Sequence, residues 1–262
     1  MHLIEIIVLG FIQGLTEFIP ISSSGHLVIA QHLFSGASDH LYLEFINIGT
    51  LAALMVYFRR KIVAIVRDIF VNKKYKLALN ILITAIPAGA IGFLLASFIE
   101  SSAFFGSLVV VTVTLGVVGV AMVLLERFPK ASAVESGEAL SSKRALLIGL
   151  VQIFALIPGV SRSGSTIIAG RLAGLDPAAA AEYSFLASLP IMLGVTLKIL
   201  MSDRHYLFAN LGPLVIGNTT AFIAGMLAIG FLMKYLAGHS LAIFGWYRIG
   251  LAAVLALLLL LQ

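Results

Sequence analysis

Six stretches of the chain are long and apolar enough to cross a membrane, and they leave little freedom in how it folds. A spanning helix needs about 20 mostly apolar residues. Residues 79–98, 105–125 and 211–233 carry no charged side chain; 41–58 carries only Glu44, 183–201 only Lys198 and 241–261 only Arg248. Of the 262 residues, 60% are hydrophobic and 11% charged, whereas an ordinary soluble domain is about a quarter charged. Backbone in a bilayer must satisfy its own hydrogen bonds, which selects helices. The expectation is an all-α polytopic membrane protein, one membrane domain over 1–262 with six transmembrane helices.

Charge placement adds topology and removes one class of partner. Seven of the 17 Lys and Arg lie in 59–76 and four more in 127–144, while residues 1–58 hold none. Such clusters mark cytoplasmic loops, so the net charge of +5 speaks for membrane topology and against a nucleic-acid partner. The beginning of the chain has no basic n-region, and Glu5 interrupts the apolar run, so no cleavable signal peptide is expected. The absence of cysteine excludes disulfides and thiol chemistry.

Two further apolar stretches are broken. Residues 3–21 contain Glu5, Glu17 and Pro20, and 145–160 ends at Pro158-Gly159. Each is followed by serines, a glycine and a second short apolar run, the pattern of a re-entrant helix–turn–helix lining a site. The two segments are also alike. At an offset of 139, Gly10 matches Gly149, Gln13 matches Gln152, and Ser22, Ser24 and Gly25 match Ser161, Ser163 and Gly164; Glu44-Phe45 matches Glu182-Tyr183 at an offset of 138. The chain therefore reads as a duplication with units 1–130 and 140–262. Each unit holds one re-entrant pair and three spans. Three is odd, so the second unit lies upside down: an inverted-topology repeat with two re-entrant pairs. The basic loops 59–78 and 126–144 then share the cytoplasmic side, both termini fall outside with Lys198 and Arg204, and the two turns meet near the midplane.

The turns carry the reactive side chains. Gln13 and Glu17 are four apart and share a helix face; Ser22, Ser23, Ser24 and His26 follow. The second turn offers Ser161, Arg162, Ser163, Ser165 and Thr166. Ionisable groups at membrane depth are costly and usually functional. Serine caps a helix start, whose free N–H groups make an anion site, and two facing starts suit two linked phosphates. Arg162 supplies a permanently charged planar fork, His26 a proton carrier, and Glu17 a base or a ligand for a divalent metal. Phosphoryl transfer needs mainly positioning and charge neutralisation. The bland alternatives are helix caps for the serines and an Arg162–Glu17 ion pair without chemistry.

Weaker expectations attach to single positions. Glu44 and Glu182 begin matching spans and are candidates for the cavity wall. Trp246, Tyr247 and Arg248 read as an interfacial belt, with lipid-phosphate binding by Arg248 ranked below that. Pro87 and Pro190 mark kinks, and 131–142 reads as a flexible linker between the units.

The chain resembles the bacterial undecaprenyl-diphosphate phosphatases of the bacitracin-resistance type. The resemblance runs almost end to end and is carried by QGLTEFIPISSSGH (13–26), LEFINIGTLAALMVYFRR (43–60), PGVSRSGST (158–166) and EYSFLASLPIMLG (182–194). It implies inverted repeats with two re-entrant pairs and hydrolysis of undecaprenyl diphosphate to undecaprenyl phosphate, the lipid carrier of cell-wall synthesis. It also implies help from a divalent cation (Mg²⁺ or Ca²⁺), a place in the bacterial cell membrane with the site open to the outer side, and a homodimer as candidate assembly. By position, the acidic motif falls on Gln13 and Glu17, the Ser and His motif on Ser22, Ser23 and His26, and the Arg motif on Ser161, Arg162, Ser163 and Thr166. Gln13 stands where the family often has Glu, which puts a two-carboxylate metal site in doubt and leaves Glu17 as the main acid. The resemblance makes Ser23 the candidate nucleophile, activated by Glu17 or His26; in the rival mechanism water attacks and Ser23 only binds phosphate. The competing function is a polyprenyl-phosphate carrier built on the same repeat. A third reading is a degenerate paralogue that only binds lipid.

Overall fold

The computed structural model describes residues 2–33, 39–127, 134 and 136–261. Fourteen α-helices order the described residues. The first half contains α1 (Leu3–Phe18), α2 (Ser23–Leu33), α3 (His40–Phe45), α4 (Asn47–Tyr57), α5 (Arg59–Phe70), α6 (Lys76–Leu94), α7 (Ala96–Ser101) and α8 (Leu108–Arg127). The second contains α9 (Ser142–Gln152), α10 (Arg162–Leu172), α11 (Pro177–Ser202), α12 (Arg204–Ala209), α13 (Leu211–Leu236) and α14 (Ala242–Leu260). Among the described residues, six helical segments are long and apolar enough to cross a membrane: α3 with α4, then α6, α8, α11, α13 and α14. These coincide with the six apolar windows of the sequence. Large apolar side chains stay exposed along them, such as Ile86 and Phe93 on α6 and Val113 and Val117 on α8, as helices surrounded by lipid tails require.

Both broken stretches stop for the same local reason. Ile19 and Ile157 precede proline and adopt extended backbone, with ψ of 133° and 125°; the following ring disfavours the helical conformation there. α9 tightens through a 3-10 turn at Ile153–Leu156 before its break. Each chain then reverses through a serine with positive φ, Ser22 at 78° and Ser161 at 75°, and restarts as α2 or α10.

The packing is reciprocal between the halves. α1 lies along α13 and α9 along α6, while α8 crosses α14. The matched glycines explain how closely the first two pairs approach: a Cβ at Gly10 would fall 2.6 Å from the Gly217 carbonyl oxygen, and one at Gly149 2.7 Å from that of Thr84. Small residues at such crossings let backbones meet in the membrane. One buried apolar core runs through both halves, from Phe18, Leu54 and Phe58 to Phe185, Leu232 and Phe244.

Two expectations are corrected. The basic stretch 59–78, read as a loop, is largely α5. Its Ile62 and Ile65 pack on the core while Val63, Val66 and Phe70 face outward; hydrophobic residues three and four apart outweighed its charges. The linker 131–142 is anchored at its described residues: Val134 and Leu140 are buried, and Ser141 caps α9. Residues 131–133 and 135 lie outside the described residues. Pro87 and Pro190, where kinks are expected, sit inside α6 and α11.

Candidate active site

The two turns touch. Arg248 of α14, fully buried, donates from Nη1 to the Pro20 carbonyl at 3.1 Å and from Nη2 to those of Gly159 at 2.5 Å and Val160 at 3.1 Å. Carbonyls freed by a proline break need donors, since in lipid nothing else supplies them. One planar guanidinium serves both breaks. Arg248 is therefore neither an interfacial belt residue nor a lipid-phosphate ligand; Trp246 beside it is exposed.

Where the turns meet, Glu17 is the hub. Its Oε1 accepts from Arg162 Nη2 at 2.7 Å, and its Oε2 accepts from Ser23 Oγ at 2.6 Å and from Gln13 Nε2 at 3.2 Å. Ser163 Oγ donates to the Glu17 backbone oxygen at 3.3 Å. Gln13 also donates to Asn47 Oδ1 at 2.6 Å, and Asn47 Nδ2 donates to the Leu43 carbonyl. That last bond fixes the Asn47 amide, which in turn fixes Gln13 with its nitrogen, not its oxygen, toward Glu17. The ion pair is sheltered: the side chains of Arg162 and Glu17 are 16% and 13% exposed.

The flanking serines hold the turns. Ser22 Oγ accepts from the Gly25 N–H and shares a hydrogen bond with Ser24, and Ser161 Oγ does the same with Gly164 and Ser163. Thr166 bonds back to the Arg162 carbonyl and across to Ser184 of α11, so it faces the α10–α11 contact. Ser165 also turns back to the Arg162 carbonyl. His26 bonds the Ser22 carbonyl through Nδ1 and the Tyr247 hydroxyl through Nε2, each at 2.7 Å. A carbonyl only accepts, so Nδ1 carries the proton and a neutral ring receives the Tyr247 hydroxyl on Nε2. His26 is engaged with Ser22 and Tyr247, and the hydroxyl of Ser23 is tied to Glu17.

A cavity of about 250 Å³ opens beside the ion pair. Glu17, Arg162, Asn47 and Gln152 give it a polar end, and Ala88, Leu156, Ile191 and Val195 are among its apolar walls. Glu182 lies elsewhere, 3.1 Å from Lys61, and Glu44 is not part of the cavity wall. Sequence reasoning missed Asn47 and Tyr247 as site residues. Asn47 was signalled by being an amide inside an apolar window.

The donor set bears on a divalent cation. Among the described residues no three His, Cys, Asp or Glu side chains cluster, and the one carboxylate, Glu17, is already paired. Magnesium and calcium take oxygen ligands, and magnesium is commonly held by one or two carboxylates plus substrate phosphates. The residues therefore fit a cation that a diphosphate shares with Glu17.

Residues 6–254 match the family model described as bacitracin resistance protein BacA. The chain belongs to this family. It is 34% identical over 258 residues to a protein of Nitrosomonas europaea named undecaprenyl-diphosphatase, covering 97% of this chain and 94% of that one. An Acinetobacter baumannii protein of the same name is 35% identical over 259 residues, with 97% and 94% covered. Undecaprenyl-diphosphatase 1 of Paraburkholderia xenovorans is 36% identical over 260 residues, with 96% and 93% covered. The BacA match takes in both breaks and ends within the last apolar helix.

Proposed function

We propose that this membrane protein hydrolyses undecaprenyl diphosphate to undecaprenyl phosphate and inorganic phosphate, at the junction of the two turns. The observation that carries the chemistry is the line Arg162–Glu17–Ser23, in which one carboxylate receives a guanidinium on one oxygen and a serine hydroxyl on the other. A nucleophile held by a base that is itself oriented by a third group is the arrangement of covalent catalysis.

The diphosphate enters the polar end of the cavity, where Arg162 and the N-termini of α2 and α10 receive its oxygens. The incoming phosphate competes with Glu17 for the guanidinium and releases the carboxylate to act as a base. Ser23 Oγ attacks the terminal phosphorus while its proton passes to Glu17. The anhydride P–O bond breaks, and undecaprenyl phosphate leaves with the bridging oxygen. Water then attacks the phosphoserine, inorganic phosphate departs, and the proton on Glu17 returns to Ser23. His26, hydrogen-bonded to Tyr247, orders the start of α2 and lies beside the reacting serine in sequence. A divalent cation, Mg²⁺ or Ca²⁺, would be held by Glu17 with the phosphates and would offset their charge.

The surrounding frame belongs to the same proposal. Units 1–130 and 140–262 form an inverted repeat, an arrangement supported by the matched turns at Ser22 and Ser161 and the reciprocal packing of α1 on α13 and α9 on α6. The basic residues of α5 and of 127–144 then face the cytoplasm, and the cavity opens toward the outer side of the bacterial cell membrane. The homodimer implied by the resemblance is carried along and is checked by mass in detergent.

The test is phosphate release from undecaprenyl diphosphate by detergent-purified protein. Catalytic release is expected. Binding of the lipid by folded protein without release would favour the carrier instead.

A further inference from the structure

Gln152 closes the polar end of the cavity and is given no part in the chemistry above. It is the repeat partner of Gln13, yet the two amides are used differently. Gln13 spends its nitrogen on Glu17 and Asn47. Gln152 is 1% exposed and donates its nitrogen to the Thr84 carbonyl at 3.3 Å. A carbonyl cannot donate, so this bond fixes the amide and leaves Oε1 as the group that needs a partner.

Two of the four polar residues at the cavity keep a buried atom without a protein partner: Arg162 Nη1, a donor, and Gln152 Oε1, an acceptor. A buried polar atom left unpaired is costly and asks for a ligand. A terminal phosphoryl group that carries one proton supplies both kinds of partner, bare oxygens for the guanidinium and an O–H for the amide oxygen. We infer that Gln152 is a substrate-contacting residue, whose Oε1 accepts a hydrogen bond from a protonated oxygen of the terminal phosphate while Arg162 Nη1 donates to another oxygen of the same group. This contact rests on the diphosphatase reading and extends it to a residue of the second repeat unit that faces the first unit's Glu17.

The experiment compares detergent-purified wild type, Gln152→Met and Gln152→Glu. It measures KM and kcat for undecaprenyl diphosphate, competitive inhibition by inorganic phosphate, and the thermal midpoint. Gln152→Met keeps the shape and loses the acceptor. With a midpoint near that of wild type, it should raise KM and the inhibition constant of phosphate by roughly tenfold or more, the loss expected of a hydrogen bond to a charged group, with a smaller change in kcat. An unchanged phosphate inhibition constant would overturn the contact. A fall in kcat alone would then assign Gln152 to holding water, and no change at all would leave it an anchor to Thr84. Should the Met variant fail to fold, Gln152→Glu carries the test. It retains shape and an oxygen acceptor but sets a carboxylate against phosphate, so unchanged phosphate affinity there overturns the contact as well. Wild-type protein that releases no phosphate would instead sink the diphosphatase reading and take this contact with it.

Discussion

The Nη2 of Arg248 lies 2.5 Å from the carbonyl oxygen of Gly159, a residue 89 positions earlier. The same side chain reaches the Pro20 carbonyl of the other break, so a single cation ties the two turns together. Replacing it by Met leaves three buried carbonyls without this donor. At about 1–3 kcal/mol for each unsatisfied group, Arg248→Met should lose on the order of 3 kcal/mol or more and most of its activity. Arg248→Lys keeps charge and fewer donors and should fall between. Thermal unfolding in detergent, read beside phosphate release, measures both.

Ser22 and Ser161 each combine a helix cap with a positive φ. Alanine at Ser161 loses the cap, worth about 1 kcal/mol, and keeps the backbone where a Cβ is disfavoured. Glycine loses the same hydrogen bond but adopts that backbone freely. Ser161→Ala should therefore unfold at a lower temperature than Ser161→Gly, and the same order should hold at Ser22. The reverse order at both positions would mean that backbone strain has no part in the turns.

Glu17 is fully partnered by protein groups, with Arg162, Ser23 and Gln13 around its carboxylate. A cation that binds only with the diphosphate should matter to turnover and not to the resting fold. Chelator is expected to abolish phosphate release while leaving the midpoint of substrate-free protein unchanged. A large drop in that midpoint would point to a structural metal instead.

The Lys61 ammonium bridges Glu138 and Glu182, 3.1 Å from each. Burial is the largest single influence and acts against the charge, but the two carboxylates outweigh it and raise its pKa above the usual 10.5. The folded chain thus binds this proton more tightly than the unfolded chain. The resulting stability is fully present below 10.5 and is lost as pH climbs through the raised value. A partly exposed pair of this kind is worth about 1 kcal/mol or less. Lys61→Met should lower the midpoint slightly and equally at neutral and mildly alkaline pH, and the difference should fade in strong alkali.

Much of this architecture was legible because the bilayer imposes it. Each apolar window became largely helical, with Leu211–Leu236 and Ala242–Leu260 starting within a residue of the expected 211 and 241. The breaks at Pro20 and Pro158 were also readable, since proline chemistry is local, and repeat matching brought the two turns together; the pairing of Ser23 with Glu17 was implied only by the family resemblance. Arg248 was not. Its partners are backbone carbonyls far away in sequence, which no side-chain pattern reveals, and its neighbours Trp246 and Tyr247 suggested an interface. α5 was hidden by its charges, although Ile62, Ile65 and Ile69 repeat at helical spacing. His26 was placed correctly on the first turn, but its bond to Tyr247 of α14 joins residues far apart in sequence, a tertiary fact.

In the proposed mechanism Glu17 serves Ser23 as a base beside Arg162. Phosphate release by Glu17→Gln tests it most directly, because the amide keeps the shape and removes the base and the negative charge. Loss of a general base typically costs about 10²–10⁴-fold, so a fall in kcat within that range is predicted in folded protein with substrate present and cation saturating. Wild-type turnover in Glu17→Gln would contradict the account and remove Glu17 from the chemistry.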